Sequence, residues 1–128
     1  MFSTNSTQDR QVVDEINEYS TWHLAIVLQP DIQLYRYLAD LSPDMPWSVR
    51  KAAAQKLSEH SSPEAVQGLI ERLPADPFWM VRCAIIQALE RIGDPKAIPA
   101  LVEVVRNDRF QMVRSYAAKA VERLSVGG

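Results

Sequence analysis

The dipeptide Val-Arg recurs in this chain with a fixed stride: Val49-Arg50, Val81-Arg82 and Val113-Arg114 lie 32 residues apart. Six residues before each arginine stands an aspartate, at Asp44, Asp76 and Asp108. Other columns keep the same phase. Leu57, Leu89 and Val121 form one, Ala53, Ile85 and Ala117 a second, and Ala54, Ile86 and Ala118 a third. Pro63 matches Pro95, Leu69 matches Leu101 and Phe78 matches Phe110. Trp47 matches Trp79, while the third copy has Gln111. A repeat of roughly 20–50 residues constrains a fold strongly, because one such unit cannot bury its apolar face alone and must stack on its neighbours.

The periodicity inside each copy is helical. Val66, Leu69, Ile70 and Leu73 follow an i, i+3, i+4, i+7 stripe, as do Val81, Ala84, Ile85, Ala88, Leu89 and Ile92. Each copy therefore reads as two helices. Helix A is expected over residues 31–40, 63–73 and 95–105, and helix B over 46–59, 78–92 and 110–124. Asp94-Pro95 and Asp76-Pro77 read as an N-cap followed by proline at the first helical position, where a missing N–H costs nothing. Gly93 suits the left-handed residue that closes a helix. The expected fold is all-α, a right-handed α-solenoid of about three helix pairs. Its repeats are expected at 30–61, 62–93 and 94–126 within a domain spanning 30–128. One more step back along the frame puts Asn17-Glu18 where Val-Arg should stand. Residues 8–29 are accordingly expected to form an N-terminal capping helix region, with residues 1–7 disordered.

Composition narrows the function classes. A net charge of -2 over 128 residues exerts no general pull on nucleic acid or anionic lipid. Arg106, Arg109, Arg114, Lys119 and Arg123 are the best basic group, but they sit in a slightly acidic chain, so nucleic acid is not the expected partner. The single cysteine, Cys83, permits no internal disulfide and fits a reducing compartment. Residues 1–8 lack a signal-peptide pattern, and the apolar run Trp22–Leu28 is too short to span a bilayer. The expectation is a cytoplasmic protein without a membrane span. His23 and His60 are isolated, no metal-ligand spacing occurs, and no phosphate loop or nucleophile elbow is present. No catalytic residue, metal or cofactor is expected.

Two groups of residues invite a functional reading. Arg50, Arg82 and Arg114 could grip a phosphate or a propionate. Paired with Asp44, Asp76 and Asp108, they read better as a structural ladder in which each aspartate caps an A–B turn and meets the arginine of a neighbouring copy. Trp47 and Trp79, with Met80 and Met112 beside them, sit in the first turns of the B helices. They are either core filling or an exposed aromatic edge suited to a partner. The outward rows of the B helices carry Lys51, Cys83 and Ser115, then Gln55, Gln87 and Lys119, with Arg91 and Arg123 further on. These rows are polar and mixed in sign. The partner-binding candidates are therefore Trp47, Trp79, Met80, Met112, Lys51, Cys83, Gln55, Gln87 and Arg91.

The segments WSVRKAAAQKLSEHSSPEAVQGLIERL, WMVRCAIIQALERIGDPKAIPALVEVV and QMVRSYAAKAVERL resemble HEAT-like repeats. The resemblance is to the subgroup named for phycobilisome (PBS) lyases, with its pattern Val-Arg-x-x-Ala-x-x-x-Leu followed by Gly-Asp-x-x-Ala-Ile-x-x-Leu. It covers residues 31–124, and the first copy departs from it with Ser61-Ser62 in place of Gly-Asp. The resemblance implies a solenoid in which the Asp and Arg columns are structural. It also implies two alternative functions. One is a protein-interaction module or scaffold without chemistry of its own. The other is a component of a bilin lyase or phycobilisome-processing system, acting on a phycobiliprotein, with a bilin as ligand and a second HEAT-like subunit as partner. The last copy ends in Ser125-Val126-Gly127-Gly128 without a polar capping helix. An outer face including Val104, Val105, Ala118 and Val121 is therefore expected to be covered by a partner or a homodimer contact.

Overall fold

The computed structural model describes residues 30–127. The expected disordered segment 1–7 and capping region 8–29 lie outside the described residues. The chain forms two compact units, Met1–Gln33 and Leu34–Gly128. Among the described residues every regular element is helical: α1 (Pro30–Asp40), α2 (Trp47–Leu57), α3 (Pro63–Arg72), α4 (Trp79–Ile92), a 3-10 turn (Pro95–Ala97), α5 (Ile98–Asn107) and α6 (Gln111–Gly127). This is an all-α solenoid arrangement of three helix pairs, α1/α2, α3/α4 and α5/α6.

The B helices α2, α4 and α6 pack directly on one another, and each later A helix packs on the B helix of its own pair. On the A side open grooves separate α1 from α3 and α3 from α5. The α1 and α3 helices approach closely at one point, where a side chain on Gly68 would run into Leu38. The core follows from this geometry. Helix α4 has a B helix on either side and α3 behind it, so Val81, Ala84, Ile85, Ile86, Ala88 and Leu89 are all buried. Leu57, Leu69, Leu73, Leu101 and Val113 complete that core from the adjoining helices. Each large apolar side chain fully removed from water contributes about 1.5–3 kcal/mol, which the short helices could not gain in isolation.

The helix ends obey local chemistry. Ser62 Oγ accepts from Ala65 N at 3.2 Å ahead of Pro63, and Asp94 Oδ1 accepts from Lys96 N at 2.9 Å ahead of Pro95. Gly93 closes α4 at φ 80° and ψ 18°, the left-handed conformation that a Cβ penalises. Three boundaries differ from expectation. The third A helix begins as a 3-10 turn before α5, because Pro99 has no N–H to donate to the Pro95 carbonyl. Helix α6 runs on to Gly127. Asp76 is not the N-cap of α4: the helix starts at Trp79 after Phe78, and Pro77 lies in the turn before it. Asp76 Oδ1 instead accepts from Phe78 N at 3.0 Å, an Asx turn that orients the chain entering the helix.

Candidate functional site

The arginines of the repeat share one pose. Arg50 Nη1 donates to Met45 O at 2.5 Å, Arg82 Nη1 to Asp76 O at 2.9 Å, and Arg114 Nη1 to Asp108 O at 2.6 Å. Each guanidinium is thereby pinned to the turn that precedes its own helix. In Arg50 and Arg82 the remaining edge faces the next copy. Arg50 Nε and Nη2 donate to the two carboxylate oxygens of Asp76 at 2.8 and 3.1 Å. Arg82 Nε and Nη2 make the same fork with Asp108 at 2.7 and 3.1 Å. The geometry is bidentate and charge-assisted, the strongest form such a pair takes.

The two rungs are unequal. Asp76 also accepts from Arg72 Nε at 3.3 Å, and its side chain is wholly buried. Asp108 lacks that third donor and its side chain keeps 8% of its exposure. Burial by itself would raise both carboxyl pKa values. The arginine hydrogen bonds, the backbone N–H of Phe78 or Phe110 and the nearby guanidinium charges outweigh it and hold both below the usual carboxylate value. The ends of the series are different. Asp44 is exposed and meets no arginine among the described residues; Pro46 follows where an N–H would be needed to repeat the Asx turn. Among the described residues no carboxylate accepts from Arg114, which bonds the Asp108 carbonyl and lends its charge to the Asp108 carboxylate.

The same turns carry a line of rings. Trp47 meets Phe78 edge-on at 5.0 Å between centroids, Phe78 meets Trp79 at 6.3 Å, and Trp79 meets Phe110 at 6.4 Å. Such pairs add to the stability that burial gives. Arg82 and Arg109 lie over the Phe110 ring at 5.7 and 5.8 Å. The line is half-buried at its middle, at Phe78, Trp79 and Met80, and opens at both ends. Trp47 is 44% exposed and Met45 37% at one end; Phe110 is 41% and Met112 52% exposed at the other. Both readings of the tryptophan column therefore hold in part: Trp79 helps to fill the seam between turns, and Trp47 presents a surface. Met45 was not among the sequence candidates; Phe110, visible in the sequence as a repeat column beside the tryptophans, is exposed with it.

On the B-helix face the candidates separate. Gln55, Gln87 and Arg91 are exposed and Lys51 is half-buried. Cys83 corrects the expectation. It is buried at 6% exposure, so it belongs to the core and cannot serve as part of a partner-binding face. Burial pushes its thiol pKa up to about 11, beyond what the Arg82 charge offsets, which leaves it a poor thiolate. Glu90 and Arg123 are ion-paired across α4 and α6. Among the described residues no group of His, Cys, Asp and Glu is placed to hold a metal, and no buried side-chain polar atom lacks a hydrogen-bond partner. No described helix is long and apolar enough to cross a membrane.

The face expected to be partly bare is mixed: Val104 is buried, and Val105 and Val121 are half-buried. Ala118 is exposed, as is Ser115.

The period, the paired helices and the interlocking Asp–Arg turns meet in one further observation: the family model for HEAT repeats matches residues 36–122. The chain belongs to the HEAT-repeat family. No curated protein matches it. The HEAT repeats here carry their Asp and Arg columns as inter-repeat bonds, and their aromatic columns along one edge of the A–B turns.

Proposed function

We propose that this HEAT-repeat chain is a protein-interaction module that holds its partner along the aromatic edge of the A–B turns and has no chemistry of its own. The observation that carries this reading is the line of four rings with exposed ends. Trp47 and Met45 at one end and Phe110 and Met112 at the other offer apolar surface, and Trp and Met are favoured at interfaces. The ladder beneath holds the turns rigidly, so little ordering entropy is lost on binding. Exposed Gln55, Gln87 and Arg91 on the B face would supply a polar rim.

The test is capture of partners from cells of the source, with Trp47→Ser/Met112→Ser set beside Tyr35→Ser on the A side as a control. Partners identified by mass spectrometry should be lost with the edge variant and kept with the control. Equal capture by both variants at unchanged melting temperature would overturn the reading.

The bilin-lyase alternative rests on the resemblance of the repeat motif. The buried Cys83, the chain's one thiol, gives no anchor for a tetrapyrrole. Under that reading the chain would dock the phycobiliprotein, and a second HEAT-like subunit would hold the pigment. A bilin added to the chain alone should then show no change in absorption.

A further inference from the structure

Two indoles begin successive B helices, Trp47 on α2 and Trp79 on α4. Those helices pack directly on one another, so the two columns stand about 8–10 Å apart, the usual interaxial distance. Phe78 fills the interval, 5.0 Å from one indole and 6.3 Å from the other. Neither indole N–H meets an acceptor among the described residues. Trp47 is exposed. Trp79 is half-buried, and no buried side-chain polar atom among the described residues lacks a partner, so its N–H opens to solvent. The edge therefore offers aromatic faces and two unused donors at the spacing of one repeat. Asp44 stands in the turn just before Trp47, exposed and without a cation among the described residues. One ladder step earlier the sequence has Glu18 where an arginine would be needed to engage it.

We infer that this edge takes a proline-rich segment of a partner protein in the polyproline II conformation, with a basic residue beside Asp44. This rests on the interaction-module reading and names the partner class for that same edge. A polyproline II helix turns once in three residues and rises about 9 Å in doing so, which matches the step from Trp47 to Trp79. Every third residue of the segment thus comes round to an equivalent indole, and proline-rich segments dock on aromatic-lined grooves of this kind. Backbone chemistry decides against the other conformations. An α-helix uses its carbonyls internally except in the last turn, and would leave both indole N–H groups without acceptors. A β-strand needs a sheet edge to pair with, and every regular element among the described residues is helical. Polyproline II makes no internal hydrogen bonds, so each of its carbonyls is free to accept from an indole. Its conformation is formed before binding, so little chain entropy is lost. Asp44 supplies the charge complementarity, a carboxylate at the Trp47 end for a Lys or Arg of the segment.

The experiment uses the full chain labelled with nitrogen-15 and follows the indole N–H resonances, assigned with Trp47→Phe and Trp79→Phe. The probe is a blocked peptide, Leu-Pro-Pro-Leu-Pro-Pro-Leu-Pro-Pro-Arg. Both the Trp47 and the Trp79 N–H should shift saturably. The same peptide with alanine for every proline should shift neither. Trp47→Phe keeps a ring and removes the donor, and should weaken binding about two- to ten-fold at an unchanged melting temperature. Asp44→Asn should weaken it about two- to five-fold, and should leave unchanged the binding of a peptide ending in Gln instead of Arg. No saturable shift at the solubility limit of the peptide, equal response to the alanine peptide, or full affinity in Trp47→Phe would overturn the inference. So would an amphipathic helical peptide of the same length that shifts both resonances at lower concentration, by placing a helix on the edge. If the peptide fails while cellular partners are still lost with the Trp47→Ser/Met112→Ser variant, the proline-rich class falls and the interaction edge stands. If the peptide binds while that variant captures partners as well as wild type does, the edge reading falls with it as an account of those partners.

Discussion

Helices α4 and α6 occupy the same place in successive repeats, yet one is almost wholly enclosed and the other has an open side. On α4 the residues Arg82, Cys83 and Ile86 are buried, Arg82 against Asp108 of the following copy. On α6 the same columns hold Arg114, Ser115 and Ala118, with the last two exposed. The arginine column is unchanged while its neighbours become small or polar. The difference separates what the repeat needs internally, the Val and Leu columns and the turn-pinning bond, from what it needs only when covered.

The sharpest way to break this comparison is at the inner rung. Asp76→Ala leaves the buried Arg50 without its counter-charge and should cost about 3–5 kcal/mol, read by urea denaturation. Asp108→Ala removes a rung that is slightly exposed and lacks the third arginine, and should cost about 1.5–3 kcal/mol. Equal losses would erase the asymmetry between the rungs. In the core, Ile86→Ala should cost about 2–5 kcal/mol by opening a cavity, whereas Ala118→Ser in the same column should stay within about 0.5 kcal/mol. A large effect at Ala118 would mean that the end is covered.

The rungs also predict a pH response. Asp76 and Asp108 have folded pKa values below their unfolded ones. Their contribution is fully present above the unfolded value of about 4 and is lost as the pH falls through the folded values. Stability should therefore fall on acidification below about pH 4, and Asp76→Asn should flatten that slope along with the overall stability. A wild-type slope in the variant would remove Asp76 from the acid response. A further effect is local: Gly93→Ala forces a Cβ into a left-handed conformation and should lower stability by about 1 kcal/mol, visible as a small drop in melting temperature.

Much of this was legible in advance, for physical reasons that the individual residues show. The Val-Arg stride announced the stack, since a 32-residue period leaves each pair of helices with an apolar face to cover. Asp94-Pro95 and Gly93 gave helix ends because their preferences are local. The offset between Asp76 and Arg50 could be read as a link between copies. Less could be read where the answer depended on neighbours. Asp76-Pro77 looked like an N-cap pair, but the turn places its carboxylate on Phe78 N and on two arginines. Cys83 shares a polar column with Lys51 and Ser115 and looked outward, yet it is buried.

The sequence by itself determined the repeat, the helices and the family, because periodicity and helix-end preferences act within a few turns of chain. The tertiary structure decided which side of each repeated column meets water. It alone put Trp79 in the seam and Trp47 at the surface, and enclosed Asp76 more fully than Asp108. Those outcomes depend on how many neighbours a copy has, and identical columns at the middle and the end of a stack carry no mark of that number.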